Sequence, residues 1–103
     1  MQYLYLTTRG RRTGLPREIE IWFTELNGRY YIIAERRENA QWVKNIRQDA
    51  RVVFRVGEQT YKGHARIVEA DQEPNLCARV RRLSEAKYGW GDGLIVELTP
   101  ESE

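Results

Sequence analysis

Apolar residues alternate with polar ones over much of this chain, and in two places the alternation gives way to helical spacing. Residues 3–8 (YLYLTT) are rich in β-formers, and 18–25 (EIEIWFTE) sets Ile19, Ile21 and Phe23 on one face, so both predict strands. The following LNGR carries the pair Asn27-Gly28, whose tolerance of positive φ suits a tight hairpin, and RYYIIA through Ala34 is the return strand. Asn39 is a candidate cap for a helix over 40–48, in which Trp42, Val43 and Ile46 form an inward stripe. Residues 51–56 and 59–69 predict a second hairpin across Gly57-Glu58. Asp71 then caps a second helix that takes Pro74 in its first turn and repeats Leu76, Val80 and Leu83 along one side. Residues 93–98 (GLIVEL) read as the last strand. The order β-β-β-α-β-β-α-β predicts a mainly β (α+β) fold: a small six-stranded antiparallel barrel or strongly curved sheet, with two helices packed at its ends.

Composition narrows the class. The chain has 103 residues, too few for two cores of ordinary size, so residues 1–103 read as one domain. With 41% hydrophobic residues, three Trp and six Tyr, it holds enough apolar material to fold. Cys77 is the only cysteine, which excludes an intrachain disulfide and makes a reducing, cytoplasmic setting the expectation. With one histidine, His64, most His-rich metal centres and paired-histidine acid/base schemes are excluded, and no metal site is expected. His64 reads as a surface residue and Cys77 as a small buried filler. No apolar run approaches the ~18–20 residues that a membrane-spanning helix needs. Chemistry beyond these limits would have to come from a bound cofactor.

Charge is where the sequence is uneven. Residues 7–17, TTRGRRTGLPR, hold four arginines and no acid, while the remainder has 13 basic against 15 acidic side chains, a net −2. Gly10 and Gly14 let main-chain N–H groups approach a ligand, Pro16 fixes the exit, and arginine offers planar paired donors, a combination suited to phosphate or carboxylate. No G-x-x-x-x-G-K-[ST] loop is present. A solvated hairpin tip has the same composition. A basic loop beside aromatics also suits single-stranded nucleic acid, but the aromatics here lie mostly on barrel-facing positions, so no nucleic-acid partner is expected.

The strings LTTRGRRTGLPREIEIWF, YYIIAERRENAQWVKNIRQDARVVFRVG and KYGWGDGLIVEL, in this order from about Leu4 to Leu98, resemble the deazaflavin (F420H2)-dependent nitroreductase or quinone reductase family. The resemblance implies the FMN-binding type of split β-barrel. It also implies hydride transfer from reduced coenzyme F420 to a small-molecule acceptor: a quinone, a nitro compound or an activated alkene. The family's T-T-x-G-R-[KR]-[ST]-G-x-P-R motif falls on Thr7, Thr8, Gly10, Arg11, Arg12, Thr13, Gly14, Pro16 and Arg17, which implies that these residues hold the cofactor's phosphate and acidic tail. Arg9 occupies a variable slot.

By the same resemblance, Ala34, Glu35 and Arg36 would lie along the deazaflavin ring, Trp42 and Asn45 would line the same cleft, and Tyr88 and Trp90 would stand over the acceptor, with Tyr88 as a donor to it. On the residues alone, Trp42 equally suits a core position, Tyr88 and Trp90 a barrel plug, and Glu35 to Arg37 a solvated strand end. Glu35-Arg36-Arg37 stands where relatives place a small hydroxyl residue, and the C-terminal segment has one Tyr and one Trp where they place several tyrosines. The chain begins almost at its first strand, which implies a soluble protein with an open site. Rivals are an FMN-dependent reductase and a non-catalytic carrier of a tetrapyrrole, a lipid or F420. A homodimer is expected from the resemblance alone.

Overall fold

In the computed structural model, which describes residues 2–101, strand β1 (Leu4–Arg9) buries Leu4, Leu6 and Thr8 on one side, as its alternation requires. It is followed by β2 (Pro16–Ile21), β3 (Thr24–Leu26) and β4 (Arg29–Ala34), then by helix α1 (Gln41–Gln48). Strands β5 (Arg51–Val56) and β6 (Gln59–Val68), helix α2 (Pro74–Tyr88) and strand β7 (Leu94–Pro100) complete the order. The seven strands form one sheet in the order β2-β1-β5-β6-β7-β4-β3, every pair antiparallel. This is the mainly β split-barrel architecture with two helices that the sequence predicts.

The strand count differs, and the reason is local. Residues 18–25 were expected to be one strand but form two, because Trp22 and Phe23 turn a corner between them. At that corner the Phe23 main chain bonds to a helix. Its N–H donates to the Tyr88 hydroxyl at 3.2 Å, and that hydroxyl and the Lys87 ammonium both donate to the Phe23 carbonyl, at 2.8 and 3.0 Å. β2 and β3 are the two edges of the sheet, yet only three Cα steps, at most about 11 Å, separate Ile21 from Thr24. The sheet therefore curls until its edges nearly meet.

Two expected caps are also corrected. Asn39 lies in a short 3-10 turn, Arg37–Asn39, and leaves Ala40 at the cap of α1 with no side-chain bond. Likewise Glu73, not Asp71, precedes α2, and its carboxylate is engaged by Arg66 instead of by the helix. Pro74 opens α2, where its missing N–H costs nothing. Both hairpin turns form as expected, with Asn27, Gly28 and Gly57 at positive φ.

The curled sheet encloses Leu4, Leu6, Ile32, Phe54, Val96 and Leu98. Helix α1 closes one end by adding Ile46 to this cluster. Helix α2 covers the outer face, where Cys77 and Val80 pack on Tyr31, Ile33, Val68 and Ile95. β7 thus has cover on both sides, and residues Leu94 to Leu98 are all buried. His64 is exposed and Cys77 buried.

One residue in that run is charged. Glu97 is 3% exposed and lies between Tyr31 of β4 and Arg66 of β6 in the ladder. It accepts from the Tyr31 hydroxyl at 2.8 Å and from Arg66 Nε at 3.2 Å, and Arg29 stands 3.5 Å away. Burial pushes its carboxyl up, but the bonds from Arg66 and Tyr31 outweigh burial and hold it below the usual range. Tyr31 is pushed up to about 12 by burial and by its bond to Glu97.

Because the folded-state value is lowered, the Glu97 contribution is present above the ordinary carboxyl range and is lost as pH falls below about 4. Urea titrations from pH 7 to pH 3 will show Glu97→Gln less stable at neutrality by about 1–3 kcal/mol, with a shallower acid decline. An unchanged acid slope would contradict this. Tyr88→Phe, which removes a partner from both polar groups of Phe23, will cost about 1–2 kcal/mol in the same assay; full stability would show that the corner holds without it.

Candidate functional site

The corner determines where the barrel opens. β3 has only three residues and pairs with Arg29 to Tyr31, so Ile32, Ile33 and Ala34 of β4 have no strand on that side. Across the gap lies β2, whose outer edge is equally unpaired. The opening holds a cavity of about 730 Å³. Ile19, Ile21 and Trp22 form one wall, and Ile33, Ala34, Glu35 and Arg36 form the other. Ala40, Gln41 and Trp42 at the start of α1, and Ser84, Tyr88 and Trp90 near the end of α2, close it off.

The cavity walls are broad and mostly apolar. The rings of Trp22 and Tyr88 stack with centroids 4.5 Å apart and an interplanar angle of 3°. All three tryptophans, Trp22, Trp42 and Trp90, line the cavity. The segment carrying Trp90 is held in place from α2: Ser84 donates to the Trp90 carbonyl at 2.6 Å, and Arg81 donates to the carbonyls of Gly91 and Gly93 at 2.8 and 3.0 Å. Gly93 has φ +139° and lies so close to Ala34 that a Cβ would sit 2.5 Å from the Ala34 carbonyl oxygen. Only glycine lets this segment pass that close to β4. The ion pair Arg37–Asp92, at 2.9 Å, ties the same segment to the turn after β4.

The arginine-rich hairpin stands at one end of the cavity. Its loop closes on itself, with Gly10 N–H donating to the Leu15 carbonyl and Gly14 N–H to that of Gly10, both at 2.8 Å, and Gly14 at φ +73°. The Leu15 N–H donates to Thr13 Oγ1 at 3.2 Å. Arg11 anchors the loop to α1: its main-chain N–H and Nη1 donate to Asn45 Oδ1, at 3.3 and 3.0 Å, and Nη2 donates to Gln41 Oε1 at 2.8 Å. Asn45 in turn donates to Thr8 Oγ1 at 3.1 Å. Gln41 belongs to the cavity wall as well, so this network joins the loop to the cavity.

The expected site residues divide accordingly. Ala34, Glu35, Arg36, Trp42, Tyr88 and Trp90 all line the cavity. Asn45 does not; it is 4% exposed and lies beneath the loop, which it positions. Arg11 spends its donors on α1 and is an anchor as much as a ligand contact. Arg12 and Arg17 are exposed, and among the described residues neither has a carboxylate within ion-pair distance. Thr13, Gly14 and Pro16 shape the loop around them. Arg9 is drawn aside by Asp49, 3.9 Å away. The role of free donor expected of Tyr88 does not fit, because its hydroxyl proton is given to Phe23.

Tyr3, Trp22, Thr24, Gln41 and Ser84 also line the cavity and were missed. Trp22 had left a signal: a large apolar residue in phase with Glu18 and Glu20, on the side the alternation reserves for solvent. Among the described residues, no group of three or more His, Cys, Asp or Glu could hold a metal ion, and no helix is long and apolar enough to cross a membrane.

Comparison with known proteins follows the geometry. The heme storage protein HutZ of Vibrio cholerae superposes with a TM-score of 0.79 at 19% identity, covering 98% of this chain and 82% of that one. An F420-H2 dependent reductase, FDR-A, gives 0.68 at 19%, covering 93% and 92%, and an F420 reductase gives 0.71 at 17%, covering 98% and 87%. At these identities the likeness establishes the fold alone, a split barrel. No curated protein matches the sequence. The model of the F420H(2)-dependent quinone reductase family matches residues 1–92. The chain belongs to that family, and is an oxidoreductase that works with coenzyme F420 and a small-molecule acceptor.

Proposed function

We propose that this protein reduces a quinone, nitro compound or activated alkene with F420H2, the flat ring lying in the gap between β2 and β4 and the anionic tail lying on the hairpin loop. The observation that carries this reading is the junction itself: a mostly apolar, aromatic-lined opening adjoins a loop with two exposed arginines that have no ion-pair partner among the described residues, and the Arg11–Gln41 bond links the two. The residues present suit the cofactor. A planar heterocycle matches walls of Ile, Ala and Trp, its polar edge can meet the unpaired main chain of Ile32 to Ala34, and the phosphate and carboxylates of the tail match guanidinium forks.

Reduced F420, when bound, supplies the hydride. The chain's own contribution is position and environment. Arg12 and Arg17 hold the tail as charge-assisted donors, with Thr13, Gly14 and Pro16 fixing the loop that presents them. Ala34, Glu35 and Arg36 border the ring at the strand end, and Trp42 backs it. The Trp22–Tyr88 stack and Trp90 form a wall that keeps the acceptor flat against the ring and limits water. Tyr88 serves here as a surface, its proton being committed to Phe23.

Because all three tryptophans border the cavity, binding is read directly as fluorescence quenching. F420 will quench strongly and FMN, with its shorter anionic tail, more weakly. Arg12→Ala with Arg17→Ala will weaken F420 binding by about 2–4 kcal/mol, allowing for their exposure, with no loss of Tm and with a shallower salt dependence. Unchanged affinity in the double variant would sink the assignment. Asn45→Ala, which leaves Thr8 and Arg11 without their shared partner, will instead lower both F420 affinity and Tm; a fall in affinity alone would show that Asn45 touches the ligand.

A further inference from the structure

Among the described residues, Thr24 Oγ1 is the one buried side-chain polar atom without a hydrogen-bond partner. Thr24 is 6% exposed and lies in the cavity wall, at the start of β3 and opposite Tyr31 in the ladder. Burying a hydroxyl unpaired is unfavourable, and native proteins seldom keep one without a use for it. Three other hydroxyls of the lining are committed: Tyr31 donates to Glu97, Ser84 to the Trp90 carbonyl and Tyr88 to the Phe23 carbonyl.

Its place along the cavity is also informative. The arginine loop precedes Pro16 at one end of β2, and Thr24 follows Ile21 at the other, with six strand residues, about 20 Å, between the two ends. A tail held on Arg12 and Arg17 therefore points away from Thr24, which faces the far part of the cavity among Phe23, Ile33, Tyr88 and Trp90. The charged residues of the cavity lining, Glu20, Glu35 and Arg36, are not among these four, and the Lys87 ammonium beside them, 4.0 Å over the Phe23 ring, is bonded to the Phe23 carbonyl.

Resting on the function proposed above, we infer that Thr24 positions the acceptor: its hydroxyl donates a hydrogen bond to a carbonyl oxygen of a flat, uncharged, conjugated acceptor. The oxygen gains electron density as hydride arrives on the conjugated carbon framework, so the bond strengthens as the reaction proceeds, without the hydroxyl giving up its proton. The proton that completes the reduction comes from solvent.

The test compares Thr24→Val, which keeps the shape and deletes the hydroxyl, with Thr24→Ser, which restores it. In the ligand-free protein, Thr24→Val will raise Tm by a few degrees, because an unsatisfied buried group is removed. With F420H2 and menadione, its kcat/KM will fall about tenfold while F420 affinity by tryptophan quenching stays within about twofold, and Thr24→Ser will keep activity close to the unsubstituted level. A lower Tm in Thr24→Val would mean that the hydroxyl has a structural partner, and an unchanged kcat/KM would mean that it does not meet the acceptor; either overturns the inference while leaving the cofactor assignment standing. Failure of the unsubstituted protein to bind F420 would overturn both.

Discussion

At Phe23 the main chain leaves the sheet and bonds to the end of a helix, and the rest of the site depends on that exchange. Had Phe23 kept strand partners, β2 would run straight into β3 and the edge would be continuous. With both its polar groups bonded to Tyr88, the chain turns, β3 is left three residues long, and the last three residues of β4 lose a neighbour. The gap thus follows from one tyrosine hydroxyl and one ammonium group placed by α2. The same helix places Trp90 through Ser84 and Arg81, so one element sets both the corner and the far wall.

The opposite end of the site is set by α1. Gln41 and Asn45, one helical turn apart, receive Arg11, and Asn45 reaches back to Thr8 in β1. This fastens a glycine-containing loop that would otherwise be a mobile tip. The arrangement divides the arginines by role: Arg11 fixes the loop, Arg9 turns to Asp49, and Arg12 and Arg17 remain for an anion. A local excess of charge becomes a binding device because one of its members is spent on geometry.

Much of this was legible in the sequence. Alternation gave β1, β5 and β6 nearly to the residue, the Asn-Gly and Gly-Glu pairs gave both hairpins, and the resemblance gave the fold and cofactor. Alternation misled at 18–25, where the pattern runs through a corner held by residues 64 and 65 positions away. Capping rules misled at Asn39 and Asp71, because a 3-10 turn and an Arg66–Glu73 pair preceded the helices. Thr24 was invisible for a more basic reason: an unpaired hydroxyl is a property of its surroundings, and no local pattern encodes it. Asn45 and Tyr88 were identified as site residues, but their hydrogen bonds turn one to the loop and the other to the corner.

The central claim is that the gap between β2 and the free end of β4 seats the deazaflavin, with its tail on the arginine loop. A crystal structure with F420 tests it most directly. The account predicts the ring between Ile19, Ile21 and Trp22 on one side and Ile33 and Ala34 on the other, with the phosphate and glutamates against Arg12 and Arg17. A ring bound on the outer face of the sheet, or a tail directed away from the loop, would contradict it.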